Sequence, residues 1–248
     1  MSQFENNGSL SSGGAAFVTT HWSVVLAAGD VASLRSNEAM EKLCSAYWYP
    51  LYAYVRRKGH SVADAEDLTQ QFFAQLLENK LVGQCRREGK FRSFLLASLE
   101  HFLAKEWNYA HRQKRGGGQT FLSLDDANAE ARYQREPADE LTAERIYDRR
   151  WAMMILDSAM TRLREEYAAG SKTELFQQLE GILSGEKSEA PYAEIATGLG
   201  MTEGAVKVAA HRLRQHYGEL VRAEVTQTVS NPAELEEEIR SLFAALHG

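Results

Sequence analysis

Residues Pro191 to Tyr217, PYAEIATGLGMTEGAVKVAAHRLRQHY, constrain the fold more tightly than any other stretch of the chain. At helical spacing Ile195, Ala196 and Leu199 make one apolar face, and Gly200 interrupts the run. Thr202 is placed to cap a second helix, because its hydroxyl accepts one of the orphan N–H groups of a first turn. In that second helix Val206, Ala209, Ala210, Leu213 and Tyr217 share one stripe. Ala196 is small where two helices approach, and Gly200 adopts positive φ at no steric cost. The stretch predicts two helices joined by a sharp turn and held by an apolar seam.

Such a pair resembles a helix-turn-helix, the unit that lays its second helix in a DNA major groove. On a helical wheel Gly204, Val208, His211 and Gln215 point away from the seam, flanked by Lys207 and Arg212. Basic side chains there suit phosphates and guanine edges, and Gly204 and Val208 keep the approach close. An ordinary helical hairpin with a solvated polar face carries the same pattern. Nothing in this stretch says what DNA contact would be for.

The rest of the chain reads as helix. Only four prolines and few alternating β-branched runs interrupt it, so an all-α fold is expected. The length of 248 residues allows one or two domains, and 44% hydrophobic content is enough for a real core. A net charge of −6 argues against indiscriminate coating of nucleic acid, so any such surface is local. Cys44 and Cys85 fit a reduced compartment and make no metal-ligand spacing. No run is apolar enough to span a membrane, and no leader pattern is seen, so a cytoplasmic chain is expected. The histidines are scattered, without HExxH, CxxC, GxSxG or a phosphate-cradling glycine loop. No catalytic centre, metal or cofactor is expected.

Residues 1–20 form a polar lead, after which Thr20 caps a short helix that docks Trp22, Val25 and Leu26. Over 37–58, Met40, Leu43, Cys44, Tyr47, Leu51, Tyr54 and Val55 follow the helical rhythm, with Pro50 expected to kink or divide the helix. Ser61 and Asp64 resemble a capping box opening a helix from Asp64 to Asn79. Asp64, Glu66 and Asp67 crowd its first turn, while Leu68, Phe72, Phe73, Leu76 and Leu77 face inward. Its polar face of Glu66, Asp67, Gln70 and Gln71 fits either a solvated surface or a docking face.

From Arg86 to Arg115 the charge turns positive, and rings alternate with cations. Phe94, Leu95, Leu99, Phe102 and Leu103 read as core; Trp107, Tyr109 and His111 gather near the basic end. Exposed rings stack bases and cations hold phosphates, although a solvated amphipathic helix has the same composition. Gly116 to Gly118 end that helix, and 119–141 read as a linker with at most partial helix. The rhythm resumes at Ile146, Trp151, Met154, Ile155, Ala159 and Leu163. A short helix is expected over 172–183, and the recognition helix is expected to reach about Val225. In the tail, Asn231, Pro232 and Glu234 form a helix start, followed by a stripe of Leu235, Ile239, Leu242, Phe243 and Leu246.

Three pieces in this order resemble the extracytoplasmic-function class of bacterial sigma factors. DAEDLTQQFF (Asp64 to Phe73) is similar to the acidic helix by which sigma factors grip core RNA polymerase. KFRSFLLASLEHFLAKEWNYAHRQKR (Lys90 to Arg115) resembles the segment that melts and reads the promoter −10 element. PYAEIATGLGMTEGAVKVAAHRLR (Pro191 to Arg214) resembles the helix-turn-helix that reads the −35 element. The chain departs from the family pattern at Phe94, where Trp is usual, and at His101, where Asn is usual.

The resemblance implies two helical domains joined by a linker, the second carrying the helix-turn-helix. The lead occupies 1–20, the first domain 21–115, the linker 116–144, the second domain 145–226 and a C-terminal helical extension 227–248. It implies that Asp64, Glu66, Asp67 and Gln70 face the polymerase clamp helices. Arg92, His101, Lys105, Trp107, Arg112, Lys114 and Arg115 would meet the −10 element. Thr202, Glu203, Gly204, Lys207, Val208, His211 and Arg212 would meet the −35 groove. Core RNA polymerase and promoter DNA are the implied partners. The extension is expected either to dock on the chain's own DNA-binding surface or to hold a partner such as an anti-sigma protein. A stand-alone helix-turn-helix regulator and a polymerase-binding decoy remain alternative readings.

Overall fold

A helical segment buried on every side must be wrapped by others, and Tyr47 to Val55 is one. In the computed structural model, which describes residues 34–78, 90–112, 129–135, 141–183 and 192–247, helix α1 (Leu34–Arg57) has every residue from Tyr47 to Val55 buried. It packs against α2 (Val62–Glu78), α4 (Ala129–Tyr133) and the long α5 (Ala143–Ala169). Helix α3 (Phe91–Arg112) lies against α2 and adds Phe91, Leu95, Leu99 and Phe102 to the same core. The described residues form nine α-helices and no strands.

Helix α1 runs unbroken through Pro50, so the proline neither ends nor divides it. Its close burial on all sides holds the turn that the missing N–H would otherwise loosen. Cys44 is buried among these apolar side chains, as a small hydrophobe would be. The turn after α1 places Gly59 at a φ of +96°. Helix α2 then starts at Val62, earlier than its charge pattern suggests, and only Asp64 falls in its first turn. The Ser61 hydroxyl causes that shift, because it accepts from the Asp64 N–H at 3.1 Å and donates to the Asp64 carboxylate at 2.7 Å. Thr20, Trp22, Val25 and Leu26 lie outside the described residues.

Helix α5 carries two cores. Ile146, Tyr147, Trp151, Ala152 and Ile155 join the cluster around α1. Ala159 and Leu163, further along the same helix, join a second cluster with α6 (Thr173–Leu179), α7 (Tyr192–Gly198) and α8 (Glu203–Thr228). Its 27 residues span about 40 Å at 1.5 Å per residue. Thr142 caps its start by accepting from the Arg145 N–H.

Within the stretch 116–144, Ala129–Tyr133 forms a single turn pinned to α1. Arg56 reaches both Glu130 carboxylate oxygens at 2.9 and 3.0 Å, and the Tyr52 hydroxyl donates to the same carboxylate at 2.6 Å. Lys58 pairs with Glu144 at 2.8 Å. The Arg56 hydrogen bond holds the Glu130 carboxyl below its ordinary value of 4.5. Lys58 does the same for Glu144, pulled down to about 2. Depressed carboxyl pKa values contribute stability that is present above about pH 4.5 and lost as the pH falls through the lowered values. The urea midpoint is therefore expected to drop between about pH 4.5 and about pH 2. Glu130→Gln is expected to flatten that drop; an identical pH profile would remove this pair from the account.

Helices α7 and α8 meet at a turn in which Gly200 has a φ of +61°. A Cβ there would find nothing within 4 Å, so the cost of a side chain lies in the backbone alone. Gly200→Ala is expected to lower the unfolding free energy by about 1–2 kcal/mol, the ordinary penalty of the left-handed region. Equilibrium urea unfolding checks it, and an unchanged midpoint would mean the turn relaxes freely.

After α8, which ends at Thr228 rather than near Val225, Asn231 accepts from the Ala233 N–H and Pro232 opens a short 3-10 turn. Helix α9 (Leu235–His247) follows and packs on α5 and α8. Leu242 is buried and Leu235, Ile239 and Leu246 pack against the first cluster. Phe243, read as part of the same stripe, is 53% exposed and lies off the contact face. Among the described residues no helix is long and apolar enough to cross a membrane.

Candidate functional site

The inward residues of α2 set its outer face. Ala65, Phe72, Phe73 and Leu76 are buried, with Leu68 packed beside them. That leaves Asp64, Asp67 and Gln71 exposed and Glu66 and Gln70 half-buried. The four residues expected to face polymerase thus share one helix surface. Beside them a groove of about 620 Å³ opens between α2 and α3. Asp64, Asp67, Glu100 and Glu106 outnumber Lys58 and His60 along it, and Trp107 closes one side. The acidic side chains of this groove suit a basic protein segment better than a phosphate backbone. The open Trp107 ring at its edge offers a face for stacking.

On α3 the side chains expected to meet DNA divide into two groups. His101 and Lys105 are exposed one turn apart, and Trp107 is 61% exposed, the most open large apolar side chain described. Arg112 ends the helix, and its side chain, like those of Tyr109 and His111, lies outside the described residues. So do Lys114 and Arg115.

Arg92 is placed differently, near the helix start and away from solvent. Its guanidinium sits 4.3 Å from the centre of the Trp151 ring and pairs with Asp148. It also reaches Glu238 of α9 at 2.7 and 3.2 Å, and only 10% of its side chain is exposed. Lys90 lies in the same corner, 2.8 Å from Glu237 and 2.9 Å from Glu238. Burial pushes the Asp148 carboxyl above its ordinary value, in spite of Arg92. Lys90 and Trp151 were legible as a cation and a core ring, but their meeting with Asp148 and Glu238 in one corner was not. The one local signal was the run Glu236, Glu237, Glu238 at the opening of an otherwise apolar helix.

In α7 and α8 the seam is buried through Ile195, Ala196, Val206, Ala210 and Leu213, with Leu199, Ala209 and Tyr217 partly covered. Thr202 caps α8, accepting from the Ala205 N–H at 3.2 Å. Glu203, Gly204, Lys207, Val208, His211 and Arg212 are all exposed, Val208 at 50%. Lys207 pairs with Glu203 at 2.6 Å, an exposed contact worth little and easily exchanged for another anion. Helix α9 seats elsewhere and leaves this face open; of the expected DNA-contacting side chains described, it meets Arg92.

Among the described residues no three His, Cys, Asp or Glu side chains gather as metal ligands would. The chain matches no protein-family model, no curated protein and no solved structure.

Proposed function

We propose that this chain is a sigma-type initiation subunit of the extracytoplasmic-function kind, working in the cytoplasm. It binds core RNA polymerase, directs it to promoters and helps open them, without catalysis of its own. In this reading the cluster around α1 is the first domain. The cluster around α7 and α8 is the second, and α7–Gly200–α8 is its helix-turn-helix. Asp64, Glu66, Asp67 and Gln70 meet the polymerase clamp. The exposed face from Thr202 to Arg212 anchors duplex, and the solvent stripe of α3 with Trp107 captures melted strand.

The observation that carries the reading is the α8 face. Its seam is buried, its cap is made, and the side chains that would enter a groove are open to solvent. An acidic helix face and a basic aromatic helix on the same chain turn general DNA contact into promoter delivery. Fluorescence anisotropy on promoter-length duplexes, with and without purified core polymerase, tests it. Tight, sequence-dependent binding is expected only with polymerase present. Specific binding of a palindrome by the chain alone would instead indicate a stand-alone regulator, which pairs half-sites through its own two-fold symmetry.

A further inference from the structure

The C-terminal segment is tied to the start of α3 by more than apolar contact. Val229 and Lys90 form an isolated antiparallel bridge, and Val229 is buried. Eight residues on, Glu237 meets Lys90, and Glu238 meets both Lys90 and Arg92. The Glu238 side chain is 0% exposed. A carboxylate taken wholly out of water is tolerated only where cations and hydrogen bonds replace its hydration. Lys90 and Arg92 supply both, so this corner is built around an anion. The guanidinium fork and ammonium that hold a carboxylate hold phosphate oxygens by the same chemistry. Glu236 to Glu238 form the first turn of α9; Glu236 pairs with Arg222 of α8, and Glu237 and Glu238 are pressed against the basic start of α3.

We propose that residues 229–247 form an internal latch in which Glu237 and Glu238 occupy the place of nucleic-acid backbone phosphates at Lys90 and Arg92. The latch rests on the reading of α3 as the element that captures a strand. While it is closed, α3 offers only its distal stripe from His101 onward. A strand that tracks the whole helix must displace the carboxylates, and with them α9 from α5 and α8. Latch and strand exclude one another because they share two cations.

The test uses the full chain and a fluorescein-labelled single-stranded DNA oligonucleotide. Glu237→Gln combined with Glu238→Gln is expected to tighten binding about tenfold. It is also expected to steepen the slope of log affinity against log salt by about 0.7 to 1.4, since up to two phosphate contacts on a single strand are gained. A folded variant with unchanged affinity and slope would make the corner a structural brace and overturn the latch. A second measurement needs no variant. Hydrogen exchange over 235–247 in the unaltered chain is expected to accelerate on saturation with the oligonucleotide; undiminished protection overturns the proposal equally. Co-purification with core polymerase reports separately on the initiation role. A chain that binds polymerase but fails both latch measurements loses the latch alone. One that passes them without binding polymerase keeps the latch and loses the role.

Discussion

Reversing the charge of Glu66 and Asp67 together, to arginine, is expected to abolish co-purification of the chain with core RNA polymerase. Both residues lie on the outer face of α2, Glu66 half-buried and Asp67 exposed, and no ion pair within the described residues uses them. They also lie beyond the first helical turn, so the helix dipole gains little from them and the fold is expected to survive reversal. Placing like charges across an interface costs several kcal/mol, and about 2.7 kcal/mol already means about 100-fold in affinity. Circular dichroism controls for folding. Undiminished co-purification by a folded variant would remove this face from the polymerase contact.

The second large effect is on stability. Trp151→Ala is expected to cost about 3–5 kcal/mol, because the indole is wholly buried at the join between α1 and α5 and its loss leaves a cavity. Arg92 would lose the ring it stacks on and keep only its carboxylate partners. Against a total of about 5–15 kcal/mol, that is a large share of the margin. Urea unfolding is expected to show a lower midpoint at similar slope. Val208→Ala, on the open face of α8, is expected to change stability by no more than about 0.5 kcal/mol. If the two variants unfolded alike, the core assignment of Trp151 would be wrong.

Local chemistry was legible in the sequence, and long-range pairing was not. Thr202, Gly200 and Asn231 could be read because a cap or a positive φ depends on residues two or three positions away. The buried positions of α5 could be read because the helical period repeats along the chain itself. That same period does not say which helix a stripe meets, so the reach of α5 into two clusters had no signature. Arg92 shows the limit most clearly. Its composition and place suggested a cation facing DNA, yet the carboxylate that holds it lies 146 residues away. Phe243 failed for a geometric reason: the apolar stripe of α9 is wider than the strip that touches α5 and the first cluster. Glu66 and Asp67 missed the first turn of α2 because the Ser61 cap moved the helix start upstream.

The face from Thr202 to Arg212 that opened the sequence reading stays open in the folded chain, while the base of α3 is held by α9. Run-off transcription with purified core polymerase and a promoter-bearing template tests the central claim most directly. The account predicts transcripts that start at one defined position only when this chain is present. Polymerase that gains no defined start, alongside a chain that binds palindromic duplex unaided or merely occupies polymerase, would contradict it.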